Sequence, residues 1–223
     1  NGEPSRTRFL ALPAGYHGDT VGAMSLGALD AFTHVHAPLL FDVTRAPEPD
    51  DTGFERTFAW LEAELSRDGA RIAGVFVEPL VQGAAGMRMY APSLLTRIAE
   101  ATRRAGALLV LDEVFTGFGR TGTMFAHEQA GVTPDVLCLA KGLFGGMLPF
   151  AATLVSERVY DGFRGDKRRA LMHGHTFCGN PLGAAVALEV LRVYDDEQII
   201  ASAQPNMRLL SARIAALAGE PGI

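Results

Sequence analysis

The chain has 223 residues, 48% of them hydrophobic and 20% charged, with a formal net charge of −5 at pH 7, which is typical of a globular domain with a substantial core. The acidic balance and the lack of a basic cluster argue against a nucleic-acid-binding protein. No apolar run is long enough to span a bilayer, no secretory signal is visible, and the two cysteines form no CxxC pair, so we expect a protein of the reducing cytoplasm with no membrane partner.

The N-terminal part combines a short predicted strand with a turn-rich segment. Residues 8–12 (RFLAL) predict the strand, and residues 13–20 (PAGYHGDT) follow it. A segment of this kind that carries an aromatic ring and an imidazole is either a binding loop or a plain surface turn. Further on, His34 and His36 form a His-x-His pair, but no third ligand is placed nearby, so we predict no metal site.

The middle of the chain predicts an alternation of helices and buried strands. Apolar residues recur at helical spacing from Phe54 to Leu65, which indicates a helix with one buried face that ends before Gly69. Residues 72–77 (IAGVFV) then form a buried strand that ends in Glu78. This acid lies either close to a ligand or serves only as a hydrogen-bond acceptor for its own loop.

The next helix and strand complete a β-α-β unit. Ser93 is the expected N-cap of a helix whose apolar residues run from Leu94 to Ala105, and Gly106 supplies the stop. The unbroken apolar run at residues 107–111 predicts a strand buried on both faces, as in parallel sheets. The order of elements therefore predicts an α/β protein with three layers, α/β/α, around a mostly parallel central sheet.

Two charged residues follow neighbouring strands of this predicted sheet. Asp112 comes directly after the strand at residues 107–111, and Lys141 ends the apolar run at residues 135–140. Ligands of open α/β sheets bind beyond the carboxyl ends of the strands, so we expect the two side chains to face each other there. A pyridoxal phosphate site needs both groups, a lysine amine for the aldehyde and a carboxylate for the pyridinium nitrogen. A structural salt bridge is the alternative.

The glycines between these two residues match the pattern G-x-G-x-x-G at Gly117, Gly119 and Gly122. The dinucleotide fingerprint follows its strand closely and opens a long helix, whereas here the residues DEVFT intervene. We therefore predict no nucleotide binding and interpret the glycines as a sharp turn beside a ligand. Arg120 in this loop is interpreted as a structural contact rather than an anion ligand.

The last motif, MHGHTFCGNPLG, covers residues 172–183. Asn180 followed by Pro181 predicts the start of a helix. That helix runs to Tyr194 and is apolar on most sides, so we expect it to be buried. A final amphipathic helix follows, with its apolar stripe at Met207, Leu210, Ile214 and Leu217.

Three segments resemble, in family order, the class III (fold-type I) pyridoxal phosphate aminotransferases: GYHGDT, DEVFTGFGRTG with PDVLCLAKGLFGG, and HGHTFCGNP. The resemblance implies that Lys141 forms the Schiff base with the cofactor and that Asp112 holds its pyridine nitrogen. It also implies that Val114 packs against the cofactor ring and that Tyr16 stacks on it. In this family the residues matching Tyr16 and Lys141 contact substrate as well.

The resemblance extends to the segment after Met172. It implies that Thr176, with His175 beside it, binds the cofactor phosphate of the neighbouring subunit and that Gly174 lies against substrate. A homodimer is therefore expected. The expected substrates are small molecules, an amino donor and a keto acid, and neither nucleic acid nor a metal is implied.

The resemblance also bears on domain organisation and reaction. A full family subunit is longer, so the chain is interpreted as a fragment, with part of the cofactor-binding large domain at residues 1–195 and the start of a connection to a small domain at residues 196–223. The segments QGAAGMRMY, PDVLCLAKGL and HGHT are most similar to the branch that takes its amino group from S-adenosylmethionine in biotin biosynthesis. The alternatives are another ω-amino acid aminotransferase, or a truncated domain that only dimerises.

Overall fold

The structure, a computed structural model, describes residues 2–27, 33–51 and 53–217. A six-stranded sheet lies at its centre, in the spatial order β2-β1-β3-β6-β7-β8, with a separate two-stranded ribbon, β4-β5. The strands are β1 (Arg8–Ala11), β2 (Thr44–Arg45), β3 (Ile72–Val77), β4 (Val81–Gln82), β5 (Arg88–Met89), β6 (Leu108–Asp112), β7 (Val136–Leu139) and β8 (Ala152–Val155). All neighbours in the main sheet pair in parallel except β7 and β8, so the predicted mostly parallel sheet is confirmed.

Helices lie between the strands along the chain and follow the last of them. The α-helices are α1 (Val21–Leu26), α2 (Glu55–Asp68), α3 (Pro92–Arg104), α4 (Glu157–Asp161), α5 (Pro181–Asp196) and α6 (Ile199–Leu217). Short 3-10 helices lie at His34–Leu39, Gly69–Arg71, Ala126–Ala130, Lys141–Phe144 and Lys167–Arg169. None of the helices in the described ranges is both long and apolar enough to cross a membrane.

The hydrophobic stripe of α2 packs into the core as predicted. Phe58 and Leu61 are fully buried, and Phe54 and Leu65 are nearly so. The ring of Phe58 lies 4.9 Å from that of Tyr90, which follows β5. The helix ends at Asp68, which confirms the predicted end before Gly69.

The N-terminus of α3 differs from the prediction. The cap position is Ala91, and Pro92 occupies the first helical turn, so Ser93 lies inside the helix and is not its cap. Proline has the backbone angle of a helix already and no N–H that needs a partner, which makes it a favourable first residue. At the other end, Gly106 has a φ of 70°, a left-handed conformation that glycine adopts without strain.

The register between β6 and β7 places Asp112 opposite Cys138. Asp135, just before β7, fixes this alignment with two hydrogen bonds to one residue of β6. Its backbone N–H donates to the Leu109 carbonyl at 3.0 Å, and its carboxylate accepts from the Leu109 N–H at 2.9 Å. Because β1, β3, β6 and β7 are parallel, the residues that follow them meet at one edge of the sheet.

The predicted burial of α5 is wrong for this chain. In the described structure α5 buries only Gly183 and Ala187, whereas Leu182 and Leu188 are 62% and 68% exposed. The helix packs with one side only, where the ring of Phe150 occupies the space that a Gly183 side chain would fill. A helix with apolar residues on several sides becomes buried only if other elements pack against each of those sides, and the sequence of the helix does not show whether they do. Three of the four residues in the apolar stripe predicted for α6, Leu210, Ile214 and Leu217, are exposed as well.

Candidate active site

The loops at the carboxyl edge of the sheet enclose a cavity of about 500 Å³. Five residues that the sequence singled out as candidate site residues line it: Tyr16, Glu78, Asp112, Val114 and Lys141. They come from the loop after β1, the end of β3, the end of β6 and the segment after β7. The structure therefore brings the acid and the lysine of the sequence prediction to one cavity. The roles that the family resemblance implies for these residues remain predictions.

Asp112 is held at both carboxylate oxygens. Its Oδ2 lies 2.7 Å from Nδ1 of His17, and its Oδ1 accepts a hydrogen bond of 3.1 Å from the Val114 N–H. Its side chain is 13% exposed and that of His17 is 8% exposed, so the pair is shielded from most competing water. A carboxylate fixed in this way keeps one orientation toward the cavity.

The sequence did not assign a role to His17. The signal that could have found it is its position in the turn after β1, because β1 is parallel to β3 and its carboxyl end faces the same edge. An imidazole at that edge has a carboxylate within reach at the end of β6. Only the loop conformation decides whether the two meet.

Glu78 both lies at the candidate ligand site and accepts hydrogen bonds from loops, which are the two roles that the sequence left open for it. It lines the cavity, and it accepts hydrogen bonds from the N–H groups of Tyr16 at 3.2 Å and Gly83 at 3.0 Å. Burial raises the pKa of this carboxyl, while the neighbouring His17 acts in the opposite direction. Glu78 thus ties two loops of the cavity wall together.

The loop that carries Tyr16 is anchored from below. The buried Gln82 side-chain amide donates to the Pro13 carbonyl at 2.6 Å, and Ala14 adopts a φ of 52°. A non-glycine residue in this left-handed region is uncommon and persists only where the surroundings fix it. The Tyr16 hydroxyl donates to the Asp19 carboxylate at 3.1 Å. Burial and this contact raise the pKa of the Tyr16 phenol.

Lys141 follows β7 and opens a 3-10 helix with a φ of 27°, so its backbone is also in the left-handed region. The residue is exposed, and its Nζ lies 5.4 Å from the centroid of the Phe115 ring. The guanidinium carbon of Arg120 lies 5.0 Å from the same centroid. Arg120 thus makes an aromatic contact at the rim of the site.

The glycine-rich turn after Asp112 is organised around the fully buried Glu113. Its carboxylate accepts hydrogen bonds from the Ala126 N–H at 2.7 Å and the His127 N–H at 2.9 Å, and it lies 2.7 Å from His127 Nδ1. Gly119 and Gly122 take φ values of 86° and 103°. The turn leads into the short 3-10 helix Ala126–Ala130, and not into the long helix of a dinucleotide site.

The structure does not place the HGHT segment at this cavity. Gly174, His175 and Thr176 are exposed, and none of the three lines the cavity. His175 makes local contacts, with its N–H donating to Cys178 Sγ at 3.3 Å and its Nδ1 accepting from the Phe177 N–H at 3.1 Å. These three residues therefore do not contribute to the cavity that Asp112 and Lys141 line.

The two cysteines should differ sharply in reactivity. Both are free, but burial, followed by the negative charge of Asp112, raises the pKa of the Cys138 thiol to about 11, while Cys178 is exposed. Because the thiolate is the nucleophile, we expect iodoacetamide at pH 8 to label Cys178 and to spare Cys138. Peptide mass spectrometry measures both sites, and Cys178→Ser is the control that removes the native label. Equal labelling rates in the folded protein would contradict the burial of Cys138.

The aminotransferase class-III family matches residues 1–222 of the chain. The chain belongs to the class-III aminotransferase family. The adenosylmethionine-8-amino-7-oxononanoate aminotransferases of Nitratidesulfovibrio vulgaris and Geobacter sulfurreducens are 43% and 40% identical to this class-III chain, over 234 and 230 residues. The alignments cover 100% and 97% of the chain but 43% and 51% of the relatives. The class-III chain therefore spans about half the length of these curated relatives.

Solved structures agree with this family assignment. The crystal structure of adenosylmethionine-8-amino-7-oxononanoate aminotransferase from Methanocaldococcus jannaschii matches the class-III chain with a TM-score of 0.90 and 36% identity, over 98% of this chain and 51% of that one. A PLP-bound amine transaminase from an uncultivated Pseudomonas species matches with a TM-score of 0.85 and 35% identity, over 94% of this chain and 50% of that one. The fold class predicted from the sequence is confirmed.

Proposed function

We propose that this chain is the cofactor-binding core of a pyridoxal phosphate-dependent aminotransferase of biotin biosynthesis. The whole enzyme transfers the amino group of S-adenosylmethionine to 8-amino-7-oxononanoate and releases 7,8-diaminononanoate. The observation that carries the proposal is the convergence of Asp112 and Lys141 on one cavity at the carboxyl edge of the sheet. The names of the two bacterial relatives at 43% and 40% identity support the reaction.

The residues of the cavity fit the cofactor. Its wall offers one amine, one carboxylate held in a fixed orientation, and the side chains of Tyr16 and Val114. An amine, a carboxylate and apolar ring contacts are the groups that a pyridoxal phosphate ring requires, and the cofactor supplies the electron sink for amino-group chemistry. Lys141 would hold its aldehyde carbon and Asp112 its pyridine nitrogen.

The Asp112–His17 pair orients the carboxylate at the bottom of the site. The imidazole Nδ1 lies 2.7 Å from the carboxylate Oδ2, within hydrogen-bond distance, and Oδ1 accepts a hydrogen bond from the Val114 N–H. Asp112 is thus held as an acceptor toward the cavity. A carboxylate in this state stabilises a protonated ring nitrogen, and a charge-assisted hydrogen bond of that kind is about twice as strong as a neutral one.

Lys141 is the group that moves protons on the open side of the cavity. Its exposed side chain reaches the cavity from the segment after β7, and an amine on a flexible four-carbon stem can both attack a carbonyl and carry a proton. Tyr16 and Val114 would limit the volume left to water around a bound cofactor ring. The carboxylate of Asp112, at the end of β6, and the amine of Lys141, after β7, therefore reach the cavity from separate segments.

We also propose that the exposed HGHT segment serves the neighbouring subunit of a homodimer. The Thr176 hydroxyl and nearby N–H groups can donate to phosphate oxygens, His175 lies beside it, and Gly174 would contact substrate. Support comes from the exposure of all three residues and from their separation from the cavity of their own chain.

We also propose a cytoplasmic location for the protein. The two free cysteines support it, because thiols stay reduced in that compartment.

The domain organisation proposed for the chain follows the helix boundaries. Residues 1–195 form part of the cofactor-binding large domain, and residues 196–223 begin the connection to a small domain. The end of α5 at Asp196 and the start of α6 at Ile199 support a boundary there. Residues 218–223 of the second segment lie outside the described ranges.

The amino donor distinguishes the proposed reaction from a second candidate, an amine or ω-amino acid transamination, which the likeness to the Pseudomonas amine transaminase favours. We expect the protein to convert 8-amino-7-oxononanoate with S-adenosylmethionine and to give at least tenfold less product with alanine or ornithine. Product formation is measured by mass spectrometry, with pyridoxal phosphate omitted as the control. Faster turnover with alanine or ornithine would overturn the biotin reaction and leave the aminotransferase class intact.

A further inference from the structure

Phe115 occupies an unusual place in the cavity wall. It lies three residues after Asp112, lines the cavity, and its ring has the Lys141 amine at 5.4 Å and the Arg120 guanidinium at 5.0 Å from its centroid. Cations within about 6 Å of an aromatic centroid are attracted by the negative face of the ring. One side chain thus contacts two cations of the site.

The Phe115 ring also packs against Gly83. A Cβ added to Gly83 would lie 2.9 Å from the nearest ring carbon of Phe115, so the ring packs directly on the glycine backbone. The Gly83 N–H donates to Glu78 at 3.0 Å, which anchors that backbone in turn. The Gly83 backbone therefore restricts the movement of the Phe115 ring.

Lys141 needs such a surface because, within the ranges that the structure describes, its amine makes no hydrogen bond or ion pair that would confine it. The residue is exposed, and a free lysine side chain carries about 2 kcal/mol of rotamer entropy. The carboxylate across the cavity does not confine it either, since Asp112 is engaged by His17 and the Val114 N–H. A contact with a ring face orients the amine without neutralising it and leaves Asp112 unaltered.

We propose that Phe115 is a positioning residue for Lys141, whose free ammonium group it holds over its ring so that the amine stays inside the cavity. The proposal rests on the function proposed above, because it names how this chain prepares the lysine for the cofactor aldehyde. The Arg120 guanidinium makes the same kind of cation–π contact with the Phe115 ring, at the rim of the site. The matched variants are Phe115→Leu, which keeps an apolar side chain without a ring face, and Phe115→Tyr, which keeps the face.

The position of the amine can be read directly by NMR. The chain has two lysines, Lys141 and Lys167, and reductive methylation with carbon-13 formaldehyde gives each a dimethylamino signal. We expect the Lys141 signal to lie upfield of the Lys167 signal in the unmodified sequence and in Phe115→Tyr, and to lose this displacement in Phe115→Leu. A Lys141 shift that is unaffected by Phe115→Leu overturns the proposal.

The second readout is the rate at which Lys141 captures pyridoxal phosphate, followed by borohydride reduction and peptide mass spectrometry. The ammonium form held on the ring must lose its proton before the amine can attack the aldehyde. Loss of a cation–π contact of about 0.5–1 kcal/mol therefore predicts a two- to fivefold faster capture in Phe115→Leu and an unchanged rate in Phe115→Tyr. An equal or slower rate in Phe115→Leu counts against the positioning role. Should Phe115→Leu fail to fold, Gly83→Ala, which displaces the ring, is expected to shift the same NMR signal, and an unshifted signal overturns the proposal.

The two proposals fail in different ways. If the unmodified protein captures no pyridoxal phosphate at Lys141, the proposed function is wrong, whereas the NMR signal still tests the contact between the amine and the ring. If capture occurs at Lys141 but neither readout depends on the aromatic face, the proposed function stands and the positioning role of Phe115 is wrong.

Discussion

Replacing Lys141 with alanine is expected to abolish the covalent uptake of pyridoxal phosphate and all amino-group transfer. The physical reason is that this amine lines the cavity and is the nucleophile that the cofactor aldehyde requires. The measurement is the visible absorbance that appears when pyridoxal phosphate is added, followed by borohydride reduction and identification of the modified peptide. The unmodified protein should carry the label at residue 141.

Lys167→Ala is the matched control for this experiment, because Lys167 is the second lysine of the chain and lies in the exposed segment Lys167–Arg169. The control should retain the absorbance and the label at residue 141. A persistent absorbance in Lys141→Ala would refute the assignment of the amine. An unmodified protein that forms a dimer on a sizing column but shows no absorbance would support a non-catalytic dimerising domain.

The second large effect is expected for Asp112→Asn, which keeps the size of the side chain but removes its charge. Removing one partner of a buried, hydrogen-bonded charge pair costs about 2–5 kcal/mol, which corresponds to a roughly thirtyfold to several-thousandfold loss of transamination rate. An asparagine can still accept the hydrogen bond from the Val114 N–H, so the local backbone should keep its conformation. The rate is measured at saturating cofactor, alongside the thermal unfolding midpoint.

His17→Gln provides the companion to this variant. It removes the imidazole that lies 2.7 Å from Asp112 but leaves the carboxylate charge, so its effect should be smaller than that of Asp112→Asn. Since the two residues act as a pair, the double variant should lose less activity than the product of the two single losses predicts. Asp112→Asn with a rate within twofold of the unmodified protein and a normal unfolding midpoint would refute the proposed role of the acid.

Much of the fold follows from patterns that are strong and local. The strand at residues 72–77 has the bounds that its apolar run predicts, and the buried face of α2 follows from its helical spacing. The convergence of Asp112 and Lys141 also follows, because parallel strands end at a common edge. These features depend on the spacing of apolar residues and on the order of strands and helices along the chain, and both can be read from the sequence.

The contacts that depend on loop conformation could not be predicted from the sequence. His17 and Asp112 are 95 residues apart, and the Phe115 ring lies 5.4 Å from the Lys141 amine although the two residues belong to different loops. The Ser93 cap was wrong because a neighbouring proline started the helix first. The burial of α5 was wrong because apolar composition does not reveal on which sides a helix has neighbours.

The alignment of β6 with β7 has a consequence for how changes in this region would act. These strands have only five and four residues, and side chains alternate between the two faces of a sheet. A slip of one position would therefore turn the carboxylate of Asp112 away from the cavity without altering any residue of the site. The two hydrogen bonds between Asp135 and Leu109, at the opposite end of the strands, thus help to hold the register that directs the acid toward the cavity.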